Sequence, residues 1–358
     1  MRRYPAIALF SLTLCIFILF LLFPSVTQVA AQEGLLFCGK VLIPSLFPGF
    51  VVSNLLIALS PFYGGRKKSL FSRLFRLPTC AVECFWIGLL AGFPSAAEDT
   101  VKFYCRKGLT KNEAERCLAF TNNPGIIFVL CAVGGGMLGS LKAGVLLWIS
   151  QTLSACLVGI LIADPKDKQS LPAESPDTKQ SLLRSVFPLS VTNAVRAALN
   201  ICGFVLFFRV VIAVLTTSVF AGAHPGVLAG LLEMTCGLSS LSAKGSETIP
   251  FAAVILAWSG FSVHFQILNV LASTDLSLKR YFPGKLLHAL ISPFFAVALT
   301  PLLLPDQAPG GKSVTLATVG AVLIIVFVVF YRSRKEYLHG NRNFQRRTGT
   351  AGTSRDLY

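Results

Sequence analysis

The sharpest chemical signal in the sequence is an acid in an apolar stretch. Glu233 stands between Leu232 and Met234 within the run Val227 to Ser242. A carboxylate at membrane depth is costly unless it is paired, hydrated or protonated, so Glu233 is a candidate site for a proton, a cation or a polar substrate. The alternative is structural: a hydrogen bond to a neighbouring helix, or an ion pair with Arg196 or Arg209 from the apolar run Val186 to Val219. A second candidate is Thr121-Asn122-Asn123-Pro124-Gly125, which interrupts another apolar run. The amides of Asn122 and Asn123 both donate and accept, which suits a nucleobase, a sugar or a zwitterion, and carbonyls freed at the break can hold a cation. A turn that caps itself is the competing reading. His264 and Gln266 follow a weak point at Trp258-Ser259-Gly260, although a lone histidine is more often a satisfied core residue than a ligand. Glu98 and Asp99 lie just past the tip Gly92-Phe93-Pro94-Ser95 and are expected to face the cytoplasmic surface. No His-Glu-x-x-His, Gly-x-Ser-x-Gly or phosphate-binding loop occurs, and the ten cysteines show no metal-binding spacing. Ser95, or Ser262 with His264, as a hydrolase pair rests on composition alone, so no enzyme activity, cofactor or metal is expected.

These residues must be held by membrane helices. The chain has 358 residues, 54% of them hydrophobic and 13% charged, with mean hydropathy +0.68, which excludes an ordinary soluble protein. The net charge of +16 lies in short loops between apolar runs, a topology signal rather than a nucleic-acid footprint. Ala6 to Phe23 reads as an uncleaved signal anchor, although Val29-Ala30-Ala31 could serve as a peptidase site. Leu35 to Leu59 carries Pro44 and Pro48, which should kink or unwind it. Thr79 is a plausible N-cap for a helix that reaches Gly92-Phe93-Pro94-Ser95. The basic segment that follows would lie outside if that helix crossed fully, so a hairpin that dips in and returns is expected. Thr110 and Glu113 form a capping box for the next helix, which breaks at Asn122 to Gly125 and resumes to Val133. Gly134-Gly135-Gly136 then reads as an outer turn. Val145 to Ala163, Val186 to Val219, Phe251 to Ala272, Leu286 to Leu304 and Val314 to Tyr331 read as spans, and Val227 to Ser242 as a second hairpin broken at Cys236-Gly237-Leu238-Ser239-Ser240.

This path places 26 of the 32 lysines and arginines inside and three outside. Lys279, Arg280 and Lys285 mark one of the inner loops. Gly88-Leu89-Leu90 before Gly92 and Gly230-Leu231-Leu232 before Gly237 suggest a repeat, and on this path the two hairpins enter from opposite sides. The expected fold is therefore all-α, with about eight spanning helices, two re-entrant hairpins and two inverted repeats. The expected divisions are 1–34 (anchor and outer loop), 35–163 (first repeat), 164–184 (cytoplasmic linker), 185–304 (second repeat), 305–331 (last span) and 332–358 (basic tail). Both termini are expected in the cytoplasm.

Motifs in both halves resemble those of the YlbJ-type sporulation integral membrane proteins, a branch of the nucleoside-recognition or Gate domain family. The resemblance runs from about Gly34 to Ala298. It rests on Gly92-Phe93-Pro94-Ser95-Ala96-Ala97, Glu113-Ala114-Glu115-Arg116 with Asn122-Asn123, and Leu232-Glu233-Met234-Thr235-Cys236-Gly237. Gly260-Phe261-Ser262-Val263-His264-Phe265-Gln266 and Gly284-Lys285-Leu286-Leu287-His288-Ala289 complete it. Departures are Phe93 for tyrosine, Ala96 for glycine and Ile126 for proline. The resemblance implies a role in endospore formation in a Gram-positive bacterium, with transport or gating of a small polar solute, a nucleoside-like one included, or of an ion. The expected binding set is Glu233, Asn122, Asn123, His264, Gln266, Ser95, Thr235 and Ser262, shaped by breaks at Gly92, Pro94, Pro124, Gly125, Gly237 and Gly260. Expected partners are the lipid bilayer and the solute, with proton or sodium coupling and homo-oligomerisation left open. The alternative is a scaffold that recruits sporulation partners through its basic loops and tail.

Overall fold

The computed structural model describes residues 3–59, 70–164, 179–220, 225–241, 248–307 and 310–351. Most of the expected linker 164–184, Arg66 to Lys68, His224 and Lys244 lie outside them. Among the described residues the chain is helical, without strands. Six helical stretches are long and apolar enough to cross a membrane: Pro24–Leu56, Leu141–Leu161, Val186–Ser218, Thr248–Leu271, Tyr281–Leu303 and Gly311–Arg332. Two expected spans are not among these six. The first helix, α1 (Arg3–Leu22), is apolar over Ile7–Leu22, and the helix through Asn122 is split into short pieces.

The N-terminal part continues as α2 (Pro24–Phe37), a π-helical turn at Cys38–Leu42 and α3 (Ile43–Ala58). The expected disruption by Pro44 and Pro48 is thus milder: the wide turn just before Pro44, closed by Ile43 N–H on Cys38 O, lets the helix continue through Pro48. Next come α4 (Leu70–Phe75), α5 (Thr79–Leu90), α6 (Ser95–Cys105) and α7 (Lys111–Thr121). Pro78, not Thr79, occupies the N-cap of α5. The Thr110/Glu113 capping box is present, with Thr110 N donating to Glu113 Oε2 at 2.8 Å.

After the break the chain forms a π-helical segment, Phe128–Met137, and then α8 (Leu141–Leu161). Gly134 to Gly136 lie inside that segment, so the expected outer turn falls later, at Leu138 to Ser140. Gly134 serves packing instead: a Cβ there would stand 2.7 Å from the Cα of Gly144 on α8. The second half comprises α9 (Lys179–Ser218), α10 (Pro225–Leu232), α11 (Met234–Ser239), α12 (Thr248–Trp258), α13 (Gly260–Leu271), α14 (Tyr281–Leu303) and α15 (Gly311–Ala351).

At the centre α14 packs against α12, α8 and α7, while α9 runs beside α2 and α3. Outward faces are apolar: Phe10 on α1, Leu199 on α9 and Leu316 and Phe330 on α15 are exposed. Such surfaces are unfavourable in water and suited to lipid. The chain is a polytopic helical membrane protein.

The connections α4–α5, α6–α7 and α13–α14 and the residue Arg332 of α15 meet at one end of the bundle. Arg116, fully buried, donates to Phe75 O at 2.6 Å, and Arg332 donates to Leu74 O at 2.8 Å. Cys80 Sγ reaches Gly108 O at 3.4 Å. Asp275 accepts from Tyr104 at 2.7 Å and from Lys111 at 2.9 Å, and Glu115 accepts from Ser277 N at 3.0 Å. The Lys111 and Tyr104 bonds hold the Asp275 carboxyl below the usual carboxylate range, and the same bonds raise Tyr104 and Lys111 above theirs.

Candidate functional site

The first interruption lies between α5 and α6. Gly92 takes φ +83°, open to glycine at no steric cost, and Pro94 precedes the first residue of α6. A Cβ on Gly92 would lie 2.6 Å from Gly125 N, and one on Gly125 would lie 2.9 Å from Gly92 N. The hairpin tip and the broken helix therefore touch backbone to backbone. At the break, Asn122 Nδ2 donates to Leu118 O at 3.0 Å and Asn123 Nδ2 to Phe120 O at 2.8 Å. The self-capping turn is thus realised, yet both amide oxygens are buried without a partner among the described residues.

The second interruption is a single residue. Glu233 is extended, at φ −144° and ψ 124°, and caps α11: its Oε2 accepts from Cys236 N at 2.7 Å and from the Thr235 hydroxyl. The expected break at Gly237 is corrected: Gly237 sits within α11, one turn later. Its lack of a side chain lets α11 meet α10, since a Cβ there would stand 2.3 Å from Gly230 Cα. The broken helix of this half is interrupted at Ser259 (φ +73°) and Gly260 (φ +77°), and a Cβ on Gly260 would lie 3.0 Å from Met234 N and 3.1 Å from Glu233 Cα. Tip and broken helix again meet through bare backbone.

No ion pair to Glu233 exists among the described residues. Arg209 reaches Glu33 at 3.4 Å and lies over the Phe37 ring, and Arg196 is exposed on α9. The carboxylate, 2% exposed, is stabilised by its own helix start and not by a counter-ion.

Both interruptions face one small cavity, lined by Gly92, Pro124 and Gly125 from the first and by Glu233, Thr235 and Gln266 from the second. Phe50, Phe128, Ile201 and Val205 close its apolar sides. It measures about 20 Å³, roughly the room of one water molecule. Gln266 Oε1 is buried without a partner among the described residues. Of the expected set, then, Glu233, Thr235, Gln266, Gly92, Pro124 and Gly125 converge. Asn122, Asn123, Ser95, Pro94, Ser262, His264, Gly237 and Gly260 are not among the cavity's lining residues. His264 hydrogen-bonds Tyr281 OH through Nδ1 at 2.9 Å and packs edge-on against Trp258 and Phe282.

A buried polar set on α14 escaped the sequence reading. Lys285, expected in a loop, is 1% exposed and donates to Asn122 O at 3.0 Å. His288 Nε2 meets Gln151 O at 3.1 Å, and Gln151 Nε2 donates to Ser292 Oγ and Ala253 O, each at 2.8 Å. These bonds tie α8, α12 and α14 together. Lys285, His288 and Ser292 fall at i, i+3 and i+7, one helix face, which was the available signal.

Comparison with known proteins agrees with the motifs. The chain is 26% identical over 318 residues to the sporulation integral membrane protein YlbJ of Bacillus subtilis (strain 168), covering 77% of this chain and 78% of that protein. No family model matches, and no solved structure matches. The likeness spans both interruptions and the elements between them, so that over most of its length the chain is similar to a sporulation integral membrane protein.

Proposed function

We propose that this protein moves or gates a small polar solute or an ion across the cell membrane during sporulation. The observation that carries the reading is the convergence of two interrupted segments, one from each half, on a cavity holding Glu233, Thr235 and Gln266. Broken helices meeting at a polar point are how secondary transporters build their sites. In this reading α5–α6 and α10–α11 are re-entrant hairpins, α7 with the π-helical segment and α12–α13 are the broken helices, and the halves are inverted repeats. The basic end of the bundle and both termini lie in the cytoplasm. Glu233 binds a proton or a cation coupled to movement of the solute. With room for about one water, the described conformation is closed, and entry of a nucleoside-sized solute requires the two seams to part.

The test is thermal stability of the detergent-purified protein against nucleosides, bases, amino acids and cations, repeated on Glu233→Gln. The amide oxygen of glutamine can still accept from Cys236 N, so the variant should fold. Selective stabilisation by one solute, lost in the variant, supports the site and names its ligand class. A flat profile moves weight to a second reading, a scaffold. The observation favouring it is the length of α15, which continues from Arg332 to Ala351 beyond its apolar part. Deleting 337–358 should spare a transporter and disable such a scaffold.

A further inference from the structure

The first interruption is already met by an amine, Lys285 Nζ, which donates to Asn122 O at 3.0 Å. α14 comes against α7 at Gly284, where a Cβ would lie 2.5 Å from Ala119 O, and this approach delivers the next residue, Lys285, to the end of α7. The carbonyls at that end are taken up one by one: Leu118 O by Asn122 Nδ2, Phe120 O by Asn123 Nδ2, Thr121 O by Asn123 N, and Asn122 O by the Lys285 ammonium. A helix C-terminus carries partial negative charge, and in a discontinuous membrane helix such freed carbonyls are where monovalent cations bind. Lys285 has no carboxylate partner among the described residues, and the nearby titratable groups are the imidazoles of His264 and His288. The amide oxygens of Asn122 and Asn123 at the same break are buried and accept no hydrogen bond among the described residues.

We infer that Lys285 is a tethered cation: its ammonium occupies, at the broken end of α7, the position that a free monovalent cation takes in a site of this kind. The protein thereby supplies its own positive charge there, and sodium finds no vacancy while the lysine is in place. The inference stands whether or not the protein transports a solute, because its test reads only stability.

The melting temperature of the purified full-length chain is compared in sodium chloride and choline chloride at equal ionic strength, with and without propylammonium, for the native protein, Lys285→Ala and Lys285→Met. The native protein should melt at one temperature in all of these. Lys285→Ala, which removes the propylammonium portion of the side chain, should lose about 5 °C or more and recover saturably with propylammonium. Lys285→Met fills the space without charge and should stay low with no recovery. Stabilisation of the native protein by sodium over choline, or Lys285→Met as stable as the native protein, would overturn the inference. If Lys285→Ala cannot be purified, Lys285→Arg decides: stability near native upholds a role for the charge, and stability no better than Lys285→Met overturns it.

Discussion

The two interruptions share a backbone device and differ in the charge they enclose. At the first, a helix ends and its exposed carbonyls are met by two amides and an ammonium; at the second, a helix begins and its exposed N–H groups are met by a carboxylate. Each break is thus neutralised by the sign its helix end prefers. The difference lies in access. Lys285 belongs to α14 and does not line the cavity, whereas Glu233 does. Similar backbone geometry in the two halves therefore does not give them similar chemistry: the acid at the second break lines the cavity and the amine at the first does not.

The largest effect that probes this comparison is steric. Gly92→Ala forces a side chain into the left-handed region and onto Gly125 N, and should cost on the order of 3 kcal/mol. Gly260→Ala meets a looser contact and should cost less. Thermal melts of the two variants in detergent check that order, and equal losses would mean the seams are equally tight. Next comes Gln151→Leu, which strips the bond to Ser292 and leaves the Ala253 carbonyl without its donor; a loss of about 2 kcal/mol is expected from the same melts. Glu233→Ala removes the cap of α11 and should cost about 1 kcal/mol, while Glu233→Gln should change stability less and abolish function in a sporulation assay. If Glu233→Gln instead fails to fold, Glu233 is a structural residue and the contrast in access collapses.

The smallest effect concerns the link between the halves at the basic end. Asp275→Asn weakens the bonds to Lys111 and Tyr104, a surface contact of modest worth that salt should screen. Because the Asp275 carboxyl is lowered in the folded protein, its contribution is present above the ordinary aspartate value, about 3.9, and is lost as pH falls through the folded value. Tyr104 and Lys111 are raised, so theirs is present below about 10 and lost as pH rises through the folded values. The melting difference between native and Asp275→Asn proteins should accordingly be greatest between these limits and vanish toward both, and a pH-independent difference would assign it to packing.

Much of the interrupted architecture is legible in the residues themselves. Gly92 with Pro94, Asn122 to Gly125, and Ser259 with Gly260 announce their breaks because glycine, proline and asparagine are the residues that leave a helix. The break at Glu233 lacks such punctuation. Glutamate is an uncommon N-cap, so Gly237 drew attention one turn late, although its real task is to admit α10. Lys285 was hidden for another reason: beside Lys279 and Arg280 it looks like loop charge, and only the long-range contact between Gly284 and Ala119 shows that it is buried. The glycines at Gly134 to Gly136 misled in the opposite sense, since a run that suggests a turn instead lies in a helix and lets a neighbouring helix come close. Local punctuation was readable; tertiary approach was not.

The glycine seams also constrain how such a protein can diverge. Where two stretches of main chain touch with no side chain between them, no repacking can absorb a new atom, so Gly92, Gly125 and Gly260 admit almost no alternative. The apolar walls of the cavity, Phe50, Ile201 and Val205 among them, are free to trade volume with one another. A lineage can therefore reshape the cavity while inheriting unchanged the backbone joints beside it.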